Sequence, residues 1–162
     1  GYVGNFLECS AETMSVIQDY QYEKNTYSDS QFLKDTVRRT KKSAGKKTLV
    51  TDGGYSGIEN RRLSDANGIQ LITTNMTGRK TASYADFRKT DTFKRYSAFR
   101  NGVETVPSVL RRKYNIDHMP VRGKLRTAFY FGCKLAAMNF RKLCIHLQSV
   151  KLMHKNWNYE TE

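Results

Sequence analysis

A strand–helix–strand pattern between residues 48 and 74 constrains the fold most. Thr48–Thr51 is a short apolar run that fits a strand, and Asp52 and two glycines follow it directly. After a helical stretch, Ile69–Thr74 provides a second strand of similar length. Two short strands joined by one helix require a parallel crossover, which is right-handed in nearly all proteins. The pattern therefore predicts an α/β fold.

Capping signals set the expected helix boundaries. Ser28 and Gln31 form a capping box, which predicts that a helix begins there. Ser56 and Glu59 form a second capping box at the start of the crossover helix. That helix is predicted to end at Asn67-Gly68, because glycine commonly follows the last helical turn.

The N-terminal residues suit a pair of strands. Tyr2–Cys9 and Ser15–Tyr22 are strand candidates, and we expect them to pair as a hairpin through residues 11–14. Asn75–Thr92 is polar and is expected to be a loop. Thr92–Asn115 is expected to be mostly helical, with Pro107 in the first turn of a new helix.

The longest predicted helix covers Gly123–Val150. Its spacing predicts one apolar face, made of Leu125, Ala128, Phe129, Gly132, Leu135, Ala136, Phe140, Leu143 and Leu147.

Positive charge is concentrated in the C-terminal part. The chain has a formal charge of +13, and between Lys94 and Lys155 there are 14 Lys and Arg against Glu104 and Asp117. Such an excess favours contacts to phosphate, because each neutralised phosphate releases counterions. The expected partner is nucleic acid. A hydrophobic content of 38% argues for a folded chain over a basic disordered tail.

Neither a membrane segment nor a disulfide framework is expected. The apolar run from Ala128 to Phe140 contains Lys134 and is too short to span a bilayer. Cys9, Cys133 and Cys144 form no CxxC pair, which favours a cytoplasmic location over a disulfide-bonded or zinc-binding protein. Cys133 and Cys144 are expected to be buried, as small apolar residues on the long helix.

Asp52 is the first candidate site residue. It follows a predicted buried strand, and ligands bind at the carboxyl ends of strands in open α/β sheets. The two following glycines allow a ligand to approach the backbone closely. A carboxylate there could hold Mg²⁺, which prefers carboxylate, water and phosphate oxygens. The alternative is that Asp52 only caps a turn, as Asp before Gly often does.

Glu104 is the second candidate, because it is a rare acid in a basic segment. In one continuous helix Arg100, Glu104 and Arg111 would lie at i, i+4 and i+11, close to one line along the helix. That arrangement predicts a metal ligand between two phosphate-binding cations. The alternative is a solvated Arg–Glu pair worth about 0.2–0.5 kcal/mol.

Other acids have weaker claims to a site. These are Asp19, Asp29, Asp86 and Asp91. Asp29 falls in the first turn of a predicted helix, where the helix dipole favours a carboxylate in any case.

Several motifs together resemble the DDE transposases of bacterial insertion sequences. Residues 51–55, Thr-Asp-Gly-Gly-Tyr, together with 67–69, 72–74 and 77–79, are similar to the region of the second catalytic aspartate. Residues 99–108 are similar to the motif of the third acid. In a related signature Arg100 and Glu104 match, Arg111 replaces a lysine and Ser97 stands where tyrosine is expected. Further matching stretches are residues 1–5, 25–29 and 119–124.

The resemblance implies an RNase H-like mixed sheet flanked by helices, with a helical C-terminal part. It implies that Asp52 and Glu104 are catalytic metal ligands, and that the complete family site binds two Mg²⁺ or Mn²⁺ ions. The implied reaction is nicking at element ends and transfer of the strand to target DNA. Arg100 and Arg111 would contact phosphates, and the neighbouring cations expected to bind DNA are Arg112, Lys113, Arg122 and Lys124.

The resemblance also implies the organisation of the chain. We expect one partial catalytic domain over residues 1–162, with a strand and helix core over 1–74, a shortened insertion loop over 75–92 and a basic helical part over 93–155. The family's first catalytic Asp belongs to a strand before residue 1. We therefore expect the opening strand to be missing and the chain to be inactive alone. A homodimer is left open.

Two other functions stay open. The chain could be a non-catalytic DNA-binding remnant that uses the basic helices of Arg111–Lys155. It could also be a distinct RNase H-like nuclease that recruits Asp19 or Asp29 as its third acid.

Overall fold

A computed structural model describes residues 1–10, 14–40, 47–76 and 81–159, with side chains described as far as Lys151. The elements in chain order are β1 (Tyr2–Ser10), β2 (Ser15–Lys24), α1 (Asp29–Arg39), β3 (Lys47–Thr51), a 3-10 turn (Gly53–Tyr55), α2 (Ile58–Ala66), β4 (Ile69–Thr73), α3 (Ala82–Phe87), α4 (Asp91–Val103), α5 (Thr105–Tyr114) and α6 (Lys124–Tyr159). The α/β class is confirmed, as two separate two-stranded sheets. In the described residues no helix is both long enough and apolar enough to cross a bilayer.

The chain divides into two compact units. We call the unit formed by Gly1–Lys24 and Ser108–Glu162 the hairpin unit. We call the unit formed by Asn25–Pro107 the crossover unit.

The hairpin unit is built on the antiparallel pair β1–β2, which confirms the predicted hairpin. Tyr2 pairs with Lys24 and Ser10 with Ser15, with one irregularity after Leu7. Residues 11–13 of the predicted turn lie outside the described residues. Helix α6 packs on this hairpin through the buried ring of Phe131.

Two polar contacts fix α6 on the hairpin. The side-chain amide of Asn139 accepts from Ile17 N at 2.9 Å and donates to Ile17 O at 2.8 Å. Lys142 Nζ lies 2.7 Å from Glu8 Oε1, and the Glu8 carboxylate also accepts from Ser15 Oγ at 2.6 Å. The Glu8 side chain is only 6% exposed, so Lys142 compensates a buried charge.

Most members of the predicted apolar face of α6 are exposed and do not pack on the hairpin. Between Lys124 and Lys151, the buried residues of α6 are Thr127, Phe131, Leu135 and Met138. Leu125, Phe129 and Phe140 are exposed instead. The helix carries apolar residues on two sides, and periodicity alone cannot decide between them. The side that bears Asn139 and Lys142 packs on the hairpin, because those polar groups find partners there.

The cysteine prediction is also wrong. Cys133 and Cys144 are exposed, as is Cys9. Both helical cysteines lie on the side of α6 that turns away from the buried residues, so their helical spacing did not indicate burial.

The crossover unit confirms the predicted strand–helix–strand pattern. Strands β3 and β4 are parallel, with Lys47 opposite Ile69 and Thr51 opposite Thr73. Its core consists of Leu33 and Val37 from α1 and Ile69 from β4. The partly buried residues packed against this core are Leu49, Tyr55, Leu63 and Leu71.

Helix boundaries follow the capping signals in two of three cases. Ser28 caps α1 by accepting from Gln31 N at 3.2 Å, as predicted. Helix α2 ends at Asn67 with Gly68 in the left-handed region, also as predicted. The capping box predicted at Ser56 is wrong, because Ser56 N closes the preceding 3-10 turn. Helix α2 begins one residue later than that box requires, after Gly57.

The segment expected to be a polar loop contains helix α3. Thr81 caps this helix by accepting from Tyr84 N at 3.3 Å. The prediction of a loop relied on the polar composition of the segment and overlooked this capping residue. Residues 77–80, which include part of the family motif, lie outside the described residues. Pro107 lies in the first turn of α5, as predicted.

Candidate active site

Asp52 stands immediately after β3 and uses its two carboxylate oxygens differently. Its Oδ1 accepts from Gly53 N at 2.7 Å and caps the 3-10 turn. Its Oδ2 lies 3.6 Å from Arg100 Nη2. The turn-capping alternative is therefore correct for one oxygen, while the other remains available to a cation. The side chain is 44% exposed, so solvent and ligands can reach it.

Backbone contacts at the strand ends hold Asp52 in place. Thr74, directly after β4, donates its N–H to Thr51 O at 2.8 Å. Gly53 lies against the same loop, since a Cβ there would stand 2.5 Å from Asn75 O. A side chain at position 53 would thus push the loop after β4 away from Asp52.

Arg100 brings the two predicted acids to one place. Its Nη2 faces Asp52, and its Nη1 lies 3.3 Å from Glu104 Oε1. The Arg100 side chain is 20% exposed, whereas that of Glu104 is 58% exposed. The ion pair between Arg100 and Glu104 matches the alternative interpretation of their i, i+4 spacing. No local signal could indicate the ion pair between Arg100 and Asp52, because it joins α4 to the end of β3.

The prediction that Arg111 lies on the same helix as Arg100 and Glu104 is wrong. Helix α4 ends at Val103, and Glu104 is its C-terminal cap residue, so no single helix joins Arg100 to Arg111. Arg111 belongs to the hairpin unit, where its Nε lies 3.4 Å from Asp117 Oδ2.

The remaining predicted DNA-binding cations also belong to the hairpin unit. Arg112 and Lys113 lie in the last turn of α5 and are exposed. Arg122 is exposed just before α6. Lys124 opens α6 and pairs with Glu23 of β2, which partly neutralises it.

Asp29 lies close to the Asp52 turn. A Cβ at Gly54 would collide with the Asp29 carboxylate, so this acid is adjacent to the glycine two residues after Asp52. Even so, the described residues contain no group of three or more His, Cys, Asp or Glu that could hold a metal ion.

Asp52 and Glu104 are two carboxylates that both contact the guanidinium of Arg100. A site of this composition suits one hard cation, provided that Arg100 moves aside.

Comparison with known families supplies a match over most of the chain. The sequence model described as the transposase DDE domain matches residues 8–140. The matched region contains Asp52, Arg100 and Glu104 as well as strands β2, β3 and β4. No curated protein and no solved structure matches the chain.

Proposed function

The chain belongs to the transposase DDE domain family, and on that premise we propose that it acts on DNA by metal-dependent phosphoryl transfer. The proposed reaction is nicking at the ends of an insertion sequence, followed by strand transfer to target DNA. The observation that supports it best is the convergence of Asp52 and Glu104 on Arg100 at the end of β3. We further propose an RNase H-like arrangement and a place of action in the bacterial cytoplasm, where the DNA substrate lies.

Asp52 and Glu104 would hold the divalent cation, either Mg²⁺ or Mn²⁺. When bound, such a cation supplies positive charge to the attacking and leaving oxygens of the phosphate. Asp52 is suited to this role because Gly53 N–H fixes one oxygen and leaves the other directed at a cation. Two carboxylates are few ligands for the two cations of a complete site, so we propose that the chain alone is weak or inactive as a nuclease.

The exposed cations of the hairpin unit would supply DNA affinity. They are Arg111, Arg112, Lys113, Arg122 and Lys124, and Arg100 would join them once DNA phosphate replaces its carboxylate partners. Contacts of this kind carry no base specificity, because phosphates are the same at every base pair.

A non-catalytic DNA-binding function is the second candidate. The contacts of Arg100 favour it, because a guanidinium already neutralises both carboxylates. Such a protein would bind DNA in a salt-dependent way and would not cut it.

A nicking assay on labelled duplex DNA with Mn²⁺ or Mg²⁺ separates these functions. The variants are Glu104→Gln and, as a matched control, Glu59→Gln, which neutralises an exposed acid on α2 that pairs with Lys34. Nicking by the chain that is lost in Glu104→Gln and kept in Glu59→Gln supports the phosphoryl-transfer function. Nicking that survives in Glu104→Gln contradicts the assigned site.

Two further results would change the assignment. An absence of nicking, with salt-sensitive DNA binding retained, would support the non-catalytic function. The position of Asp29 beside Gly54 also makes Asp29→Asn informative. Loss of nicking in that variant would support recruitment of Asp29 as the third acid, and unchanged nicking would exclude it.

A further inference from the structure

Helix α3 is short and is held to the crossover unit by two aromatic side chains. It has six residues, none of them fully buried, and a helix of this length is not stable without tertiary contacts. Tyr84 and Phe87 are half-buried, whereas the other four residues of the helix are exposed. These two side chains therefore make the contacts that keep α3 in place.

The hydroxyl of Tyr84 attaches α3 to the end of the parallel strand pair. Tyr84 Oη donates to Thr73 O at 3.1 Å. Thr73 is the last residue of β4 and pairs with Thr51, the last residue of β3. Asp52 follows Thr51 directly in the chain. The hydrogen bond of Tyr84 thus reaches the strand pair at the edge where Asp52 stands.

The ring of Tyr84 contacts α4. Its centroid lies 6.0 Å from that of Phe93, and the centroid of Phe87 lies 5.4 Å from the same Phe93 ring. Both contacts are edge-to-face, the geometry that the charge distribution of aromatic rings favours. Thr90 closes the junction between the two helices, since its Oγ1 donates to Phe87 O at 2.7 Å and accepts from Phe93 N at 3.2 Å. Helix α3 therefore holds the first turn of α4.

The same side of α4 carries the candidate site residues. Phe93, at 7% exposure, and Arg100 are seven residues apart, close to two helical turns. Tyr96 and Ser97 are half-buried between them, at the i+3 and i+4 positions of the same face. The placement of Phe93 consequently determines where α4 presents Arg100 and, one turn later, Glu104.

We propose that Tyr84 is a positioning residue for the acid pair, and this inference rests on the proposed metal-dependent function. Its hydroxyl holds the strand pair that ends at Asp52, and its ring holds the helix that ends at Glu104. One side chain thereby fixes the separation of two carboxylates that come from distant parts of the chain. A residue that only stabilised the fold would not need to join these two elements at their functional ends.

Mn²⁺ binding by the full chain without DNA is the first test. Tyr84→Phe keeps the ring and removes only the hydrogen bond to Thr73. The matched control Tyr130→Phe removes a hydroxyl from an exposed tyrosine of α6. Glu104→Gln shows which part of the binding belongs to the acid pair. We expect Tyr84→Phe to weaken the Glu104-dependent affinity about fivefold, the effect of one lost hydrogen bond, and Tyr130→Phe to leave it unchanged.

Amide hydrogen exchange without metal is the second test, and it does not depend on the proposed function. In Tyr84→Phe we expect the amides of α4 to exchange about fivefold faster, because a contact that limits local opening is lost. The amides of α1, in the same unit, should keep their rates. A residue that only stabilised the fold would accelerate both helices equally.

Three results would overturn the proposal. They are unchanged exchange in α4, equal acceleration in α1 and α4, and an unchanged Glu104-dependent Mn²⁺ affinity in Tyr84→Phe. A failure of the proposed function gives a different result, namely that Glu104→Gln binds Mn²⁺ as well as the unsubstituted chain does. In that case the exchange rates alone decide whether Tyr84 positions α4 at the strand end.

Discussion

Arg100 is the residue on which the candidate site depends. It contacts Asp52 across the chain and Glu104 on the same stretch of helix. Both carboxylates are well exposed, so water screens each ion pair and each stabilises the fold by no more than about 1 kcal/mol. A contact this weak can be displaced by a divalent cation or by a DNA phosphate. If the proposed metal site is correct, Arg100 would compete with the metal for the same two acids in the DNA-free protein.

Removing Arg100 should strengthen metal binding. In Arg100→Gln we expect Mn²⁺ affinity, measured by electron paramagnetic resonance of the free ion without DNA, to rise by several-fold. Arg95→Gln on the same helix removes an equal charge that makes neither contact, so it controls for the general loss of repulsion. Equal Mn²⁺ affinities in the two variants would show that Arg100 does not occupy the site.

Two threonines behind the site give a second prediction at this scale. Among the described residues, Thr51 Oγ1 and Thr73 Oγ1 are buried without a hydrogen-bond partner. A buried hydroxyl without a partner costs free energy, so Thr73→Val should leave the free energy of unfolding unchanged or raise it by up to about 1 kcal/mol. Thr74→Val is the control and should lower it by about 1 kcal/mol, because Thr74 Oγ1 donates to Thr51 O at 3.2 Å. Urea unfolding measures both, and a clear loss in Thr73→Val would contradict the assignment.

At the scale of elements, Asn139 joins α6 to β2. Asn139→Ala leaves both the N–H and the C=O of Ile17 without their side-chain partner, and Ile17 is buried. We expect the free energy of unfolding to fall by about 1–3 kcal/mol, the range for an unsatisfied buried polar group. Gln148→Ala, at an exposed position of the same helix, should change it by less than about 0.5 kcal/mol. Similar losses in the two variants would mean that the helix itself, and not its anchor, was weakened.

Local signals predicted the elements better than they predicted how the elements pack. The hairpin, the parallel crossover and the cap at Ser28 depend on neighbouring residues, so they could be derived from sequence. The side of α6 that is buried could not be derived from sequence, because the helix has apolar residues on two sides. Packing against the hairpin determines which of the two sides is buried. Residue type and motif selected Asp52 and Glu104 as candidate acids, and their role as metal ligands stays a prediction. Their common contact with Arg100 required the tertiary structure.

At the scale of the whole molecule, we expect the charge distribution to govern the proposed DNA binding. Arg112→Gln with Lys113→Gln should reduce the slope of log affinity against log salt by about 2, at roughly 0.9 per lost phosphate contact. Lys89→Gln with Lys94→Gln removes the same charge from cations already paired with Asp86 and Asp91, and it should change the slope little. Filter binding over a salt series gives both slopes. Equal reductions would indicate that net charge alone, and not these contacts, drives binding.

The two glycines after Asp52 differ in the room that surrounds them. A methyl group at position 53 meets backbone atoms of Asn75 and Met76, whereas at position 54 the nearest atoms belong to the Asp29 side chain, which can rotate away. In a library randomised at both positions and selected for folded protein, glycine should be fixed at 53 and many residues accepted at 54. Of these two positions, position 54 is therefore the one at which a reporter group could be attached close to Asp52.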